Sequence, residues 1–246
     1  VTLRKIFLRH QVTQFVMLFV ERSGSTYLTT LLNSHPDILA QGEKLDILKQ
    51  KGHNAQTQLK WTREFLTPPL IGRNKARGYK TKLKDVLDQD GFAQLIQEMN
   101  CKIIQLRRHN SVKAVISTIN ARRLWEASGN WNLINDDSSR MPAFAVDPDE
   151  FANLLQQRKS WDEELEAYVQ RLQLPTLALY YEDLLKDEPT FIQNVYSFLE
   201  VKPKPAQGIT LKHTSDDLRD VIVNFDELYV RYTGTPYQPM FDEVLC

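Results

Sequence analysis

The chain has 246 residues, 42% of them hydrophobic, with 31 Lys+Arg balanced by 31 Asp+Glu. That is ordinary globular composition, long enough for a substantial core, and the balanced charge argues against a nucleic-acid partner held by phosphate attraction. The longest apolar run, Phe15 to Val20, is far short of the roughly 20 residues of a membrane helix, and no signal peptide is visible, so the expected location is cytoplasmic.

The sequence opens on Val1 rather than Met, as a trimmed chain would. Phe15–Val20 reads as a buried strand, followed by the small-residue turn Glu21-Arg22-Ser23-Gly24 and a helix after Ser25 with Leu28, Leu31 and Leu32 inward. Arg77–Lys80 is a weaker strand, and a helix follows Asp90. Cys101 and Cys246 form neither a metal spacing nor a disulfide framework. Lys102–Arg107 is a strand, with a helix after Asn110. The polar stretch 128–146 reads as an irregular loop over the site. Asp147-Pro148-Asp149-Glu150 supplies an N-cap, an early Pro and an acidic third position. Behind it Phe151, Leu154, Leu155, Trp161, Leu165, Tyr168 and Leu172 keep a helical period. Thr176–Tyr181 is a strand and a helix follows Pro189. Thr214-Ser215-Asp216-Asp217 is expected to open one helix with Leu218, Val221, Ile222, Phe225, Leu228 and Tyr229 on a single face. Continuous apolar strands alternating with helices predict a single α/β domain over 1–246, with a mostly parallel central sheet covered by helices on both faces.

The strand–turn–helix Phe15–Leu28 is a phosphate-binding pattern. Such a turn turns backbone N–H groups toward one point beside a helix N-terminus, where an anion is stabilised. Ser23, Ser25 and Thr26 add hydroxyls, and Arg22 adds charge. It is P-loop-like without being a Walker A loop: Tyr27 and Leu28 stand where that motif needs a second Gly, then Lys and Ser/Thr to hold Mg²⁺. The absence of G-x-G-x-x-G weakens a dinucleotide reading. No metal is implied, since none of the histidines lies at ligand spacing. A second basic strand end, Arg107-Arg108, opens a helix carrying Ser117 about two turns on, the place where α/β sheets bind ligands.

Together these segments resemble the sulfotransferases that use 3′-phosphoadenosine 5′-phosphosulfate (PAPS). Arg22–Leu28 matches the family's R-[ST]-G-[ST]-[ST]-x-L loop for the 5′-phosphosulfate. Leu106-Arg-Arg-His-Asn through Ser117 resembles the L-R-R-x-N-x-x-[RK]-x-x-x-S form of the bacterial carbohydrate-type branch, which holds the 3′-phosphate. The resemblance leaves open whether Arg107 or Arg108 takes that phosphate. Asn33–Ile38 with Gly42-Glu43 looks like the family's N-x-H-P-x-[IV]…G-E segment, and Tyr181-Glu-Asp-Leu184 like its Y-E-D-L, whose Tyr lies near the adenine. The tail from Thr214 to Tyr237 is similar to that of the nodulation-factor sulfotransferases in this branch.

The resemblance implies sulfuryl transfer to a hydroxyl of a glycan, glycolipid or small metabolite, without a metal. It makes Arg22, Ser23, Gly24, Ser25, Thr26, Tyr27, Arg107, Arg108, Ser117 and Tyr181 the candidates for holding the cofactor. Glu43 is the implied general base, with burial able to raise its basicity. Arg22 and then Lys80 are the candidate cations for charge on the departing phosphate. Where the cytosolic branch has K-T-H with the His as base, this chain has Lys80-Thr81-Lys82. His35 reads as structural, and Trp125 and Trp131 flank the polar loop, where they could stack on a sugar. Two alternatives stay open: a nucleotide kinase-like phosphotransferase, and a non-catalytic nucleotide-binding relative.

Overall fold

The computed structural model describes residues 12–69, 72–131, 141–208 and 214–245. Five parallel strands form one sheet: β1 (Thr13–Phe19), β2 (Ile38–Gln41), β3 (Ala76–Thr81), β4 (Lys102–Arg107) and β5 (Thr176–Tyr180). Their order is β2-β3-β1-β4-β5, so β1 is central and the chain turns to one side of it for β2 and β3 and to the other for β4 and β5. The loops leaving β1 and β4 therefore diverge from adjacent strand ends, and the crevice between them is where open α/β sheets take ligands.

Strand alternation sorts the core onto two faces. Phe15, Met17 and Phe19 pack with Leu28, Leu31 and Leu32 of α1 (Ser25–Asn33) and with Phe191, Val195 and Tyr196 of α8 (Glu188–Phe198). Val16, Leu18 and Val20 pack with Leu45 of α2 (Lys44–Gln50), Phe92 of α4 (Gln89–Glu98) and Leu165 of α6 (Pro148–Leu172). The helix α3 (Ala55–Leu66) adds Leu66 to that face. The expected cap at Asp147 is present, its carboxylate accepting from the N–H groups of Asp149 and Glu150. The edge strand β5 departs from the expectation of coverage on both faces: Thr176 and Ala178 are exposed.

A third cluster joins α5 (Ser111–Ser128) and α6 to the C-terminal segment, through Val112, Ile116, Phe151, Leu228 and Phe241. Here one expectation needs correction. The stretch from Thr214 is not one helix but a 3₁₀ turn, Leu218–Asp220, followed by α9 (Phe225–Arg231) and α10 (Gln238–Asp242). Ile222 pairs with Phe144 as an isolated bridge, and Asn224 exchanges hydrogen bonds with the backbone of Val146. The bridge takes the Val221 carbonyl and the Val223 N–H, backbone groups a continuous helix would use, and the Asn224 side chain ties the segment to Val146, so tertiary bonding overrides the periodicity. The polar loop expected over 128–146 is described only at its two ends, with residues 132–140 outside the described set, as is Cys246. Cys101 is buried and free. Among the described residues, no helix is long and apolar enough to cross a membrane.

Candidate active site

The turn after β1 is shaped by two left-handed residues, Arg22 at φ +62° and Gly24 at φ +78°. It delivers the chain into α1 with no side chain capping the helix start, so the first-turn N–H groups face the crevice without a competing side-chain acceptor. The ring of Tyr181, at the start of α7 (Tyr181–Lys186), lies against Gly24. The next residue, Glu182, is buried and accepts from the backbone N–H groups of His109 and Asn110 at 3.0 and 3.1 Å. One dipeptide thus covers the first loop and clamps the second.

A cavity of about 390 Å³ lies between these loops, lined by Arg22, Gly24–Tyr27, Arg108, Lys113, Ser117, Tyr181 and the segment 214–216. Arg22 Nε donates to Ser117 Oγ at 3.0 Å, and Arg108 donates to the Arg22 carbonyl at 3.0 Å. Burial, and then the neighbouring Arg108 charge, lower Arg22 to about 10. Burial lowers Arg108 as well. The buried Nε of Arg108 has no hydrogen-bond partner among the described residues, and Glu182 lies 3.8 Å away. Two guanidiniums brought together in a half-buried crevice repel each other, a cost that an anion between them offsets. Tyr27 donates to Glu188 at 2.6 Å, and its phenol is raised to about 12 by burial and that bond.

Other candidates face elsewhere. Arg107 pairs with Glu166 at 2.6 Å and lies over the Tyr180 ring, so it lines neither this cavity nor the next. The Ser23 hydroxyl turns inward, donating to the Val20 carbonyl at 2.7 Å. His35 bonds the Lys202 carbonyl and the Asp37 N–H, the structural role expected of it.

On the opposite side of the loop lies a second cavity of about 650 Å³. Arg22, Ser25 and Thr26 line both, so the loop is their common wall. Glu43, Asp46, Lys82, Asp85, Trp131 and Trp161 also line the larger one. Trp125 stacks on Trp131 at 5.1 Å, not on the cavity. Glu43 stands at the N-terminus of α2 but does not cap it; its carboxylate instead receives Lys80 at 3.1 Å on Oε1 and Lys82 at 2.8 Å on Oε2. Burial would raise Glu43, yet the charges of Lys80 and Lys82 outweigh it and hold the carboxyl below its ordinary value. The expected rise in basicity is therefore overturned. Carboxylate oxygens of Glu43, Asp46 and Asp85 lie within 4.8 Å of one another, with the Lys82 ammonium already paired to two of them.

Lys80 lines neither cavity. Its ammonium sits behind the loop, 2.8 Å from Thr26 Oγ1, 3.3 Å from Ser25 Oγ and 3.1 Å from Glu43 Oε1. Three partners match its three N–H donors. Sequence reading also missed two buried cations. Lys113 pairs with Asp216 at 2.9 Å on the wall of the smaller cavity. Arg158 donates to the Glu21 carbonyl at 2.7 Å and reaches Ser23 Oγ at 3.3 Å, bracing the loop from α6. Lys113 occupied the [RK] place of the Leu106–Ser117 motif; Arg158 showed only an i,i+4 pair with Asp162, which it makes at 2.6 Å, and that reads as an ordinary helix-surface pair.

Strand order, an anion-shaped turn on the central strand and a second basic loop beside it define a parallel α/β fold with an anion-binding crevice at its switch point. The chain belongs to the sulfotransferase family: the sulfotransferase domain model matches residues 13–225. It is similar to Nodulation protein H of Rhizobium meliloti (strain 1021), 27% identical over 239 residues, covering 93% of this chain and 94% of that protein. Nodulation protein H of Rhizobium tropici is 25% identical over 240 residues, covering 93% and 92%. Among solved structures, the sulfotransferase from Alicyclobacillus acidocaldarius shares the fold, with a TM-score of 0.52, 13% identity and 94% of each chain covered. The protein is a sulfotransferase-family enzyme.

Proposed function

We propose that this enzyme moves a sulfuryl group from PAPS to a hydroxyl of a glycan, glycolipid or small-molecule acceptor, with Glu43 as general base. The observation that carries the reading is the shared wall: one cavity lined by half-buried guanidiniums and one lined by a carboxylate meet at Arg22, Ser25 and Thr26. The smaller cavity suits a bisphosphorylated nucleotide. Arg108 offers a buried, unsatisfied N–H, and Gly24 lets the Tyr181 ring pack directly on the loop backbone.

When bound, PAPS supplies a sulfuryl group joined through oxygen to its 5′-phosphate. In this reading the Arg22–Tyr27 loop holds that end through backbone N–H groups and the Ser25 and Thr26 hydroxyls. Arg108, rather than Arg107, holds the 3′-phosphate with Ser117, and Tyr181 lies along the adenine. Glu43 takes the acceptor's proton while the acceptor oxygen bonds to sulfur. Arg22 neutralises the electron pair left on the phosphate oxygen as its bond to sulfur breaks. Lys80 acts from behind, donating to Ser25 and Thr26 so that their own O–H groups are free to point at the donor. The acceptor lies in the larger cavity, where Trp131 and Trp161 give flat apolar walls beside polar groups. A cytoplasmic location and a metal-free reaction belong to the same proposal.

The test is calorimetric titration with 3′-phosphoadenosine 5′-phosphate without metal, with ATP plus Mg²⁺ as control. Binding of the bisphosphate alone supports the donor assignment. Preference for ATP would return the loop to a kinase-like site, and binding without turnover on any hydroxyl acceptor would favour a non-catalytic relative.

A further inference from the structure

Lys82 has no role in the reading above, yet it is the cation nearest to Glu43 among the described residues. It follows β3 directly, in extended conformation, and therefore points to the same side as Lys80 two residues earlier. Its ammonium lies 2.8 Å from Glu43 Oε2 and 3.3 Å from Asp85 Oδ2. Asp85 is itself buried and is reached by Lys49 at 3.4 Å through its other oxygen. An Asp85–Lys82–Glu43 line thus runs along the floor of the larger cavity, all three lining it, whereas Lys80 stays behind the loop.

A helix-end glutamate whose side chain makes no cap is not needed for α2. Held at one oxygen by Lys80 and at the other by Lys82, it is fixed in both position and direction. A carboxylate has about four lone-pair sites, so two lysine bonds leave room for an acceptor O–H. The arrangement costs basicity and gains placement, a trade that favours a reaction in which misplacing the base is the greater loss.

We infer that Lys82, anchored by Asp85, is a positioning residue that aims Glu43 at the acceptor hydroxyl. This rests on the reading of Glu43 as the base. Lys82 remains charged through the working range: burial lowers it, but Glu43 and Asp85 more than restore it. The charged groups facing Glu43 are Lys80 and Lys82 from β3 and its end, Asp46 from α2, Asp85 from the following turn and Arg22 from the β1 loop.

The deciding experiment is a ¹³C-carboxylate NMR titration of Glu43 in the whole protein, its signal assigned by its loss in Glu43→Gln. Lys82→Met is expected to raise the Glu43 midpoint by about one pH unit or more, because an opposite charge in contact has been removed. Lys82→Arg, which keeps the charge, should leave the midpoint near its original value. On an acceptor selected from a panel of neutral oligosaccharides, Lys82→Met should lower kcat roughly 10- to 100-fold and move the acid limb upward with the midpoint. Affinity for 3′-phosphoadenosine 5′-phosphate should not change, and Lys82→Gln should repeat the pattern if Met perturbs packing. An unmoved midpoint, or nucleotide affinity lost together with turnover, would overturn the inference. Near-normal turnover of Glu43→Gln would instead sink the base reading, while an inactive Glu43→Gln beside a normal Lys82→Met sinks the positioning role alone.

Discussion

The Tyr181 ring packs so closely on Gly24 that a Cβ placed there would clash with its Cδ2. The ring occupies the space a side chain would need, and the backbone at Gly24 is already left-handed. Gly24→Ala therefore carries two penalties: about 1 kcal/mol or more for the left-handed conformation, and displacement of Tyr181. Affinity for 3′-phosphoadenosine 5′-phosphate is expected to fall at least about tenfold, read by calorimetry. Tyr181→Phe keeps the ring and should bind almost normally. Equal loss in Tyr181→Phe and Gly24→Ala would mean that the hydroxyl, not the covering ring, matters.

The two arginines at the end of β4 separate cleanly. Arg108 is buried against the smaller cavity, so Arg108→Ala removes charge-assisted bonds of about 1.5–3 kcal/mol, or roughly 10- to 150-fold in nucleotide affinity. Arg107 is turned to Glu166, and Arg107→Ala should change affinity by less than about twofold, as partly exposed ion pairs contribute little. A reversal of that order would move the 3′-phosphate to the other side of β4.

Much of this was legible in the sequence, for definable reasons. The strands β1, β4 and β5 are apolar runs bounded by helix starts, so the sequence shows both basic loops, Arg22–Leu28 and Arg107-Arg108; that they face one crevice follows from β1 and β4 being neighbours in the sheet. The short β2, Ile38–Gln41, bridges the two halves of the Asn33–Ile38 and Gly42-Glu43 segment, which was read only as a motif; four residues carry too little periodicity to stand out. Motif spacing could not choose between Arg107 and Arg108, because that choice depends on where β4 stops and the chain turns. Nor could it show that Ser23 faces inward, since the same S-G-S turn serves either direction. The pairing of Glu43 with two lysines was likewise out of reach: it joins the start of α2 to β3 across more than thirty residues.

The Lys113–Asp216 pair makes a different kind of claim. Both side chains are about 5% exposed, and Asp216 also accepts from the Leu245 N–H, tying the C-terminal segment to α5. Asp216→Ala strands a buried ammonium and is expected to cost about 3–5 kcal/mol in a denaturant titration. Replacing both partners, as Lys113→Met with Asp216→Leu, should recover a large part of that loss. If the double variant is as unstable as the single one, the backbone bond to Leu245 outweighs the ion pair.

Glu43→Gln tests the chemistry directly. The amide keeps the shape but cannot take a proton, so turnover should fall roughly 10²- to 10⁴-fold while nucleotide affinity is retained. The pH dependence follows from the sign of the shift. Burial would raise Glu43, but Lys80 and Lys82 hold it below its ordinary value, so it stays ionised at every pH above about 4.3. Its ionisation therefore places no limit on kcat/KM between about pH 5 and 8. A depressed carboxyl also contributes stability above its unfolded-state pKa and gives it up as pH falls through the folded value. Glu43→Gln should thus show a shallower loss of stability in acid than the wild type. A kcat limb centred near neutrality in the wild type, with no such limb in kcat/KM, would mean that the two lysines release the carboxylate once both substrates are bound.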